Sequence, residues 1–118
     1  MKIITSIAGA VALATLSACT IPPYDTHKTN SYLLTYYSIP QCIQKGWVQD
    51  QGAFAYYFDV VKHRLGTRTD PAVVAQLDQQ AKIYRPNVED CRFIEFTAIG
   101  EMNAEIKRKQ DLQKLDVT

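Results

Sequence analysis

The stretch QGAFAYYFDVVKHRLG, residues 51–66, decides the fold of this chain. Its large apolar residues recur at spacings of four, three and four, the repeat that places side chains along one face of an α-helix. They are Phe54, Phe58, Val61 and Leu65. Basic residues occupy the last turn, where they suit the negative end of the helix dipole. The segment predicts a helix that starts at Asp50 or Gln51 and runs to Leu65. Gly66 then fits the C′ position that closes a helix.

A second helix is predicted directly downstream. Asp70 supplies an N-cap, Pro71 suits the first helical position, and Pro86 ends the segment. The predicted buried stripe of this helix consists of Val74, Leu77, Ala81 and Tyr84.

The last predicted helix begins at Asn87, whose side chain can accept a hydrogen bond from the amide of Glu89 or Asp90. Its apolar residues share one broad arc of the helical wheel, which predicts a core-facing side. The arc consists of Val88, Cys91, Ile94, Ala98, Ile99, Met102 and Ile106. Beyond Ile106 the sequence is highly charged. It predicts an exposed continuation of the helix that frays near Asp116.

The sequence upstream of residue 51 is less regular. Pro40 to about Trp47 predicts a short helical segment that Gly46 weakens, whereas the run SYLLTYY, residues 31–37, fits a helical turn or a strand that Pro40 interrupts. The stretch TIPPYDTHKTN, residues 20–30, predicts an extended tether. Because no alternating pattern or hairpin dipeptide occurs, we expect an all-α domain at residues 31–118. It should be a small bundle of three principal helices, preceded by a flexible tether at residues 19–30.

The N-terminal residues 1–18 have the organisation of a secretory signal peptide. Lys2 precedes an uncharged, mostly apolar run from Ile3 to Leu16, and small residues follow. The apolar run is shorter than the roughly 20 residues that a membrane-spanning helix needs. The segment therefore predicts export and cleavage.

The end of this segment, Leu16-Ser17-Ala18-Cys19, resembles the lipobox of bacterial lipoproteins. The resemblance implies that Cys19 is diacylated on sulfur, becomes the first residue of the mature chain and is then acylated on its amine. Thr20, in place of an aspartate, implies sorting to the outer membrane of a Gram-negative bacterium, with the domain facing the periplasm. The alternative interpretation is an ordinary signal peptide that a cysteine follows by chance.

Two cysteines, Cys42 and Cys91, remain once Cys19 is assigned to the lipid. An even number of thiols in an oxidising compartment favours a disulfide. The bridge would close a loop of about 50 residues, for which the chain-entropy estimate is about 4 kcal/mol. Two buried thiols or an intermolecular bridge are the alternatives.

Charge and motif content argue against several functions. Without residues 1–18 the chain has 100 residues, with 12 basic and 12 acidic side chains. It lacks the net positive charge that would attract nucleic acids or anionic lipids, so no nucleic acid partner is expected. Asp59 and His63 share a helix face and could supply two metal ligands, but no third ligand has suitable spacing. We therefore predict no metal, cofactor or catalytic residue.

Aromatic residues are the remaining candidates for function. Tyr56 belongs to a run of three consecutive aromatic residues, and Phe93 and Phe96 lie off the core-facing arc of the last helix. Such rings either pack against helices on both sides or form an exposed docking surface. The second interpretation predicts a lipid-anchored periplasmic module that engages another cell-envelope protein, as an assembly subunit, inhibitor or immunity-type lipoprotein. The alternative is a small envelope enzyme that acts on peptidoglycan or lipid.

Overall fold

The structure is a computed structural model that describes residues 21–117. The predicted signal peptide and Cys19 lie outside the described residues. Within residues 21–117 the chain forms four helices and no strand: α1 (Thr26–Gln44), α2 (Gln51–Thr67), α3 (Pro71–Ile83) and α4 (Val88–Val117). The prediction of an all-α bundle is thus confirmed, with one principal helix more than expected.

The additional helix, α1, takes in the last five residues of the predicted tether and the irregular segment after it. Asp25 caps its first turn by accepting a hydrogen bond of 2.8 Å from the amide of Lys28. The predicted tether at residues 19–30 is therefore wrong from Thr26 onward. Pro40 lies inside α1 and does not interrupt it. A proline inside a helix costs about 3 kcal/mol, but α1 buries Leu33 and Ile39, and each such burial contributes about 1.5–3 kcal/mol.

Glycine closes α1 rather than α2. Gly46 has a φ of 73°, and its amide bonds the carbonyl of Ile43 at 3.0 Å while the amide of Trp47 bonds that of Cys42 at 3.1 Å. This pair of bonds is the Schellman motif, which requires the left-handed conformation that glycine adopts without strain. The predicted role of Gly66 is wrong, since α2 continues through it to Thr67.

The other three helices begin where the sequence predicts. The side chain of Asp50 accepts from the amide of Ala53 at 2.9 Å, and Asp70 accepts from Ala72 at 2.9 Å. Asn87 accepts from the amide of Asp90 at 2.8 Å. The carboxylate of Asp90 in turn accepts from the amide of Asn87 at 3.1 Å. These reciprocal bonds form a capping box at the start of α4.

The core lies where α1, α2 and α4 meet. The predicted disulfide joins Cys42 of α1 to Cys91 of α4, with an Sγ–Sγ distance of 2.09 Å. Phe54 and Val61 of α2 are fully buried beside it, and the rings of Tyr36 and Phe58 stack at 5.1 Å between α1 and α2. The stripe predicted for α2 is thus confirmed.

The third helix, α3, packs on the outer side of α1. Ala81 is buried, and the hydroxyl of Tyr37 donates a 2.5 Å hydrogen bond to Asp78. Tyr84, predicted to be buried, is 40 % exposed because α3 ends at Ile83. None of the helices in residues 21–117 is sufficiently long and apolar to cross a membrane.

Candidate docking surface

The rotation of α4 about its axis is fixed by its buried side. Cys91 and Ala98 are fully buried, and Ile94 is 8 % exposed. The disulfide holds the Cα atom of Cys91 at 5.7 Å from that of Cys42. A helix clamped at one residue and packed one and two turns later cannot rotate. The direction of every other side chain on α4 follows from these contacts.

Phe93 and Phe96 point away from this core. Phe93 is 73 % exposed and Phe96 is 78 % exposed, more than any other large hydrophobic side chain in residues 21–115. By the 3.6-residue repeat, Phe93 lies roughly 100° around the helix from Ile94, the nearest of the buried residues. Phe96 lies nearly opposite the buried side. Gly100, one turn after Phe96, has open space around the position of a Cβ atom. We call Phe93, Phe96 and Gly100 the aromatic face of α4.

A shallow groove between α1 and α4 borders the aromatic face. Two adjoining cavities of about 230 and 290 Å³ form it and share Ser31, Thr35, Phe93 and Ile94 as lining residues. Asp90 is the one carboxylate among the residues that line the two cavities. Its Oδ2 already accepts from the hydroxyl of Tyr84 at 2.5 Å and from a backbone amide of its capping box. The groove thus offers small hydroxyl groups, the ammonium group of Lys28 and an apolar floor, with a phenyl ring at its edge.

Tyr56, the third predicted docking residue, lies elsewhere. It is half-buried on α2, where burial first, and then the negative charges of Glu105 and Glu101 on α4, raise the pKa of its hydroxyl. These two glutamates are roughly 140–180° around α4 from Phe96. The structure therefore brings Phe93 and Phe96 together and leaves Tyr56 on a different surface.

A polar and aromatic cluster joins the start of α1 to the end of α2, and sequence analysis missed it. The ring of Tyr24 stacks on that of Tyr32 at 5.2 Å, and the guanidinium of Arg68 lies 4.7 Å from the centre of the Tyr24 ring. Arg64 donates to the hydroxyl of Tyr32 at 2.8 Å and pairs with Glu101 at 3.4 Å. Apart from the Arg64–Glu101 pair, which joins α2 to α4, these contacts depend on the position of α1. No signal in the predicted tether indicated them.

The predicted non-catalytic pair, Asp59 and His63, lies on the exposed side of α2. Within the part of the chain that the structure describes, no group of three or more His, Cys, Asp or Glu side chains is placed to hold a metal ion. Comparison with known protein families, with curated proteins and with solved structures gave no match to this chain.

Proposed function

We propose that this protein is a lipid-anchored module of the cell envelope that docks another envelope protein through the aromatic face of α4. One observation carries the proposal. Two neighbouring phenylalanines are 73 % and 78 % exposed on a helix whose opposite side is clamped by a disulfide. These rings do not pack in the core, and their exposure is typical of a surface that binds another protein.

Covering the rings of Phe93 and Phe96 would remove apolar surface from water. A phenyl side chain buries roughly 150–250 Å² when it is covered, which corresponds to several kcal/mol at about 25 cal/mol per Å². Only part of this free energy remains after the cost of association, but a central aromatic anchor often contributes about 2 kcal/mol or more to binding. Phe93 and Phe96 together can supply such an anchor.

The anchor follows from Cys19. Two or more acyl chains hold a protein stably at a bilayer, whereas one chain binds only marginally. The first turn of α1 begins at Thr26. Seven residues from Cys19 to Thr26 reach at most about 25 Å when fully extended. The domain would thus stay close to the outer membrane, on its periplasmic side, and its partner would have to lie within the same short distance.

Lipidation is tested by Cys19→Ala, which should abolish palmitate labelling and release the protein from membranes. Ser17→Ala is the matched control, since it keeps a small residue in the lipobox and should label normally. Persistent labelling of the Cys19→Ala protein would contradict the anchor.

Docking is tested by placing a photoreactive phenylalanine analogue at position 96 in intact cells, followed by capture of the tagged protein. We expect one stoichiometric protein adduct. Asp59, exposed on α2, is the control position and should give little adduct. Equal yields at positions 59 and 96 would contradict a docking role for the aromatic face.

A further inference from the structure

The aromatic face belongs to a longer stripe of exposed residues on α4. Six residues recur at spacings of four, three, four, three and four, which is the seam spacing of a two-helix coiled coil. All six are exposed: Glu89, Phe93, Phe96, Gly100, Asn103 and Lys107. They fall within an arc of roughly 80° on the side of α4 that faces away from Cys91. We call these six residues the α4 seam.

When two copies of the α4 seam are placed antiparallel, the residues that face each other are complementary in size and charge. Consider a second α4 that runs antiparallel, with the two-fold axis at the level midway between Phe96 and Gly100. Phe96 then lies opposite Gly100, Phe93 opposite Asn103 and Glu89 opposite Lys107. Each large residue meets a smaller one, and each acid meets a base. A parallel pair would instead oppose glutamate to glutamate, lysine to lysine and ring to ring.

We propose that the α4 seam binds a second copy of this chain, with the two α4 helices antiparallel. The inference rests on the proposed function and names the docked envelope protein as another molecule of the same anchored chain. Two-fold symmetry repeats every layer, so the interface contains two Phe96–Gly100, two Phe93–Asn103 and two Glu89–Lys107 contacts.

The open space at Gly100 supports this arrangement. Apart from Gly100 itself, its two chain neighbours and the adjacent backbone of α4, no heavy atom of the described residues lies within 4 Å of the position that a Cβ atom at Gly100 would occupy. A phenyl ring from a second copy can therefore rest against the backbone of α4 there. In the antiparallel pair, the Phe96 ring of the second copy would occupy the open space at Gly100.

The second half of α4 gives independent support. Beyond Met102 the described side chains are exposed apart from the half-buried Glu105. A helical segment whose side chains are mostly exposed is marginal in water on its own. In the antiparallel pair, the segment that carries Asn103 and Lys107 lies along Glu89 and Phe93 of the second copy. Residues 103–108 of each copy thus lie against the first turns of α4 of the other.

The charged layers set direction and register more than affinity. An interface between a single pair of helices is small and therefore binds weakly in solution. Anchoring both copies in one membrane offsets this weak affinity. Two copies held in one membrane meet at a much higher effective concentration than free proteins do. We therefore expect self-association of the anchored protein at a membrane or micelle surface.

The test uses the mature lipidated protein in detergent micelles or liposomes. Equal amounts of unlabelled and ¹⁵N-labelled protein are mixed and coupled with a zero-length carbodiimide reagent, which joins a carboxylate to a lysine amine. We expect a mixed-isotope peptide that links Glu89 to Lys107. Within one helix these residues are about 27 Å apart, so the link cannot form inside one copy. Lys109, on another side of α4, is the internal control and should not couple to Glu89.

A charge exchange provides the second arm. Glu89→Lys turns both attractive layers into repulsive ones and should weaken association roughly tenfold. Glu89→Lys with Lys107→Glu restores both layers and should restore pairing.

Absence of the mixed-isotope link, or failure of the double variant to recover, overturns the inference. If position 96 still forms an adduct with a different envelope protein, the proposed function stands without the dimer. If position 96 forms no adduct, the proposed function fails as well.

Discussion

The two sides of α4 differ in what they contribute. Over the same two turns, the buried side carries Cys91, Ile94 and Ala98, and the outer side carries Phe93 and Phe96. The larger apolar side chains are the exposed ones. Packing on α1 and α2 leaves room for small residues beside the disulfide, whereas nothing in the described chain covers the outer side. The inner side of α4 thus maintains the fold, and the outer side leaves two phenyl rings exposed, which is the basis of the proposed docking role.

The largest expected effect comes from replacing a phenylalanine of the buried core with alanine. Phe54→Ala removes a fully buried ring from the core and should lower the free energy of unfolding by about 3–5 kcal/mol. Urea unfolding followed by circular dichroism measures the change. A loss below about 1 kcal/mol would mean that the described core does not hold the domain together.

The disulfide is the next largest contribution. Cys42→Ala with Cys91→Ala removes the covalent link that fixes α4 and should cost about 2–5 kcal/mol of unfolding free energy. Peptide mapping of the wild-type protein without reductant should find the two cysteine peptides joined. Two alkylatable thiols in the folded, oxidised protein would contradict this account of the clamp.

A smaller effect is expected where α3 meets α1. The hydrogen bond to Asp78 first, and then partial burial, raise the pKa of the Tyr37 hydroxyl to about 12. The folded state therefore retains this proton more tightly than the unfolded state, whose tyrosine pKa is about 10. The stabilisation is fully present below pH 10 and is lost as the pH rises through about 12. Tyr37→Phe should cost about 1 kcal/mol at pH 7.

The pH dependence gives the control for that hydrogen bond. The melting temperature of the wild type should fall more steeply between pH 10 and 12 than that of the Tyr37→Phe protein. Parallel curves for the two proteins would show that the bond to Asp78 contributes nothing.

Local signals predicted three of the four helices. Asp50, Asp70 and Asn87 cap their helices through contacts within a few residues, and such contacts can be identified from sequence. The stripe of α2 also follows directly from its spacing. Tertiary contacts decided the rest. Pro40 and the polar stretch that starts at Thr26 argue locally against a helix, and α1 forms because its buried residues and the disulfide outweigh that preference.

The candidate surface was predictable to a similar extent. The helical wheel of the last helix separated Phe93 and Phe96 from the arc of Cys91, since all of these residues lie on one helix. Tyr56 was grouped with them only because it is aromatic, and its neighbours Glu101 and Glu105 come from a helix packing that sequence did not reveal. The groove beside Phe93 was missed because its other wall is α1.

The most direct test of the central claim compares the two sides of α4 in one experiment. Ile94→Ala is set against Phe93→Ala with Phe96→Ala, and each protein is measured for its unfolding free energy and for partner crosslinking from a photoreactive group at Asn103. We predict that Ile94→Ala costs about 2–4 kcal/mol. The double phenylalanine variant should change stability by only about 0.5 kcal/mol and lose most of its crosslinked product. A stability loss above about 2 kcal/mol in the double variant, or full crosslinking in spite of it, would contradict the assignment of the aromatic face to docking.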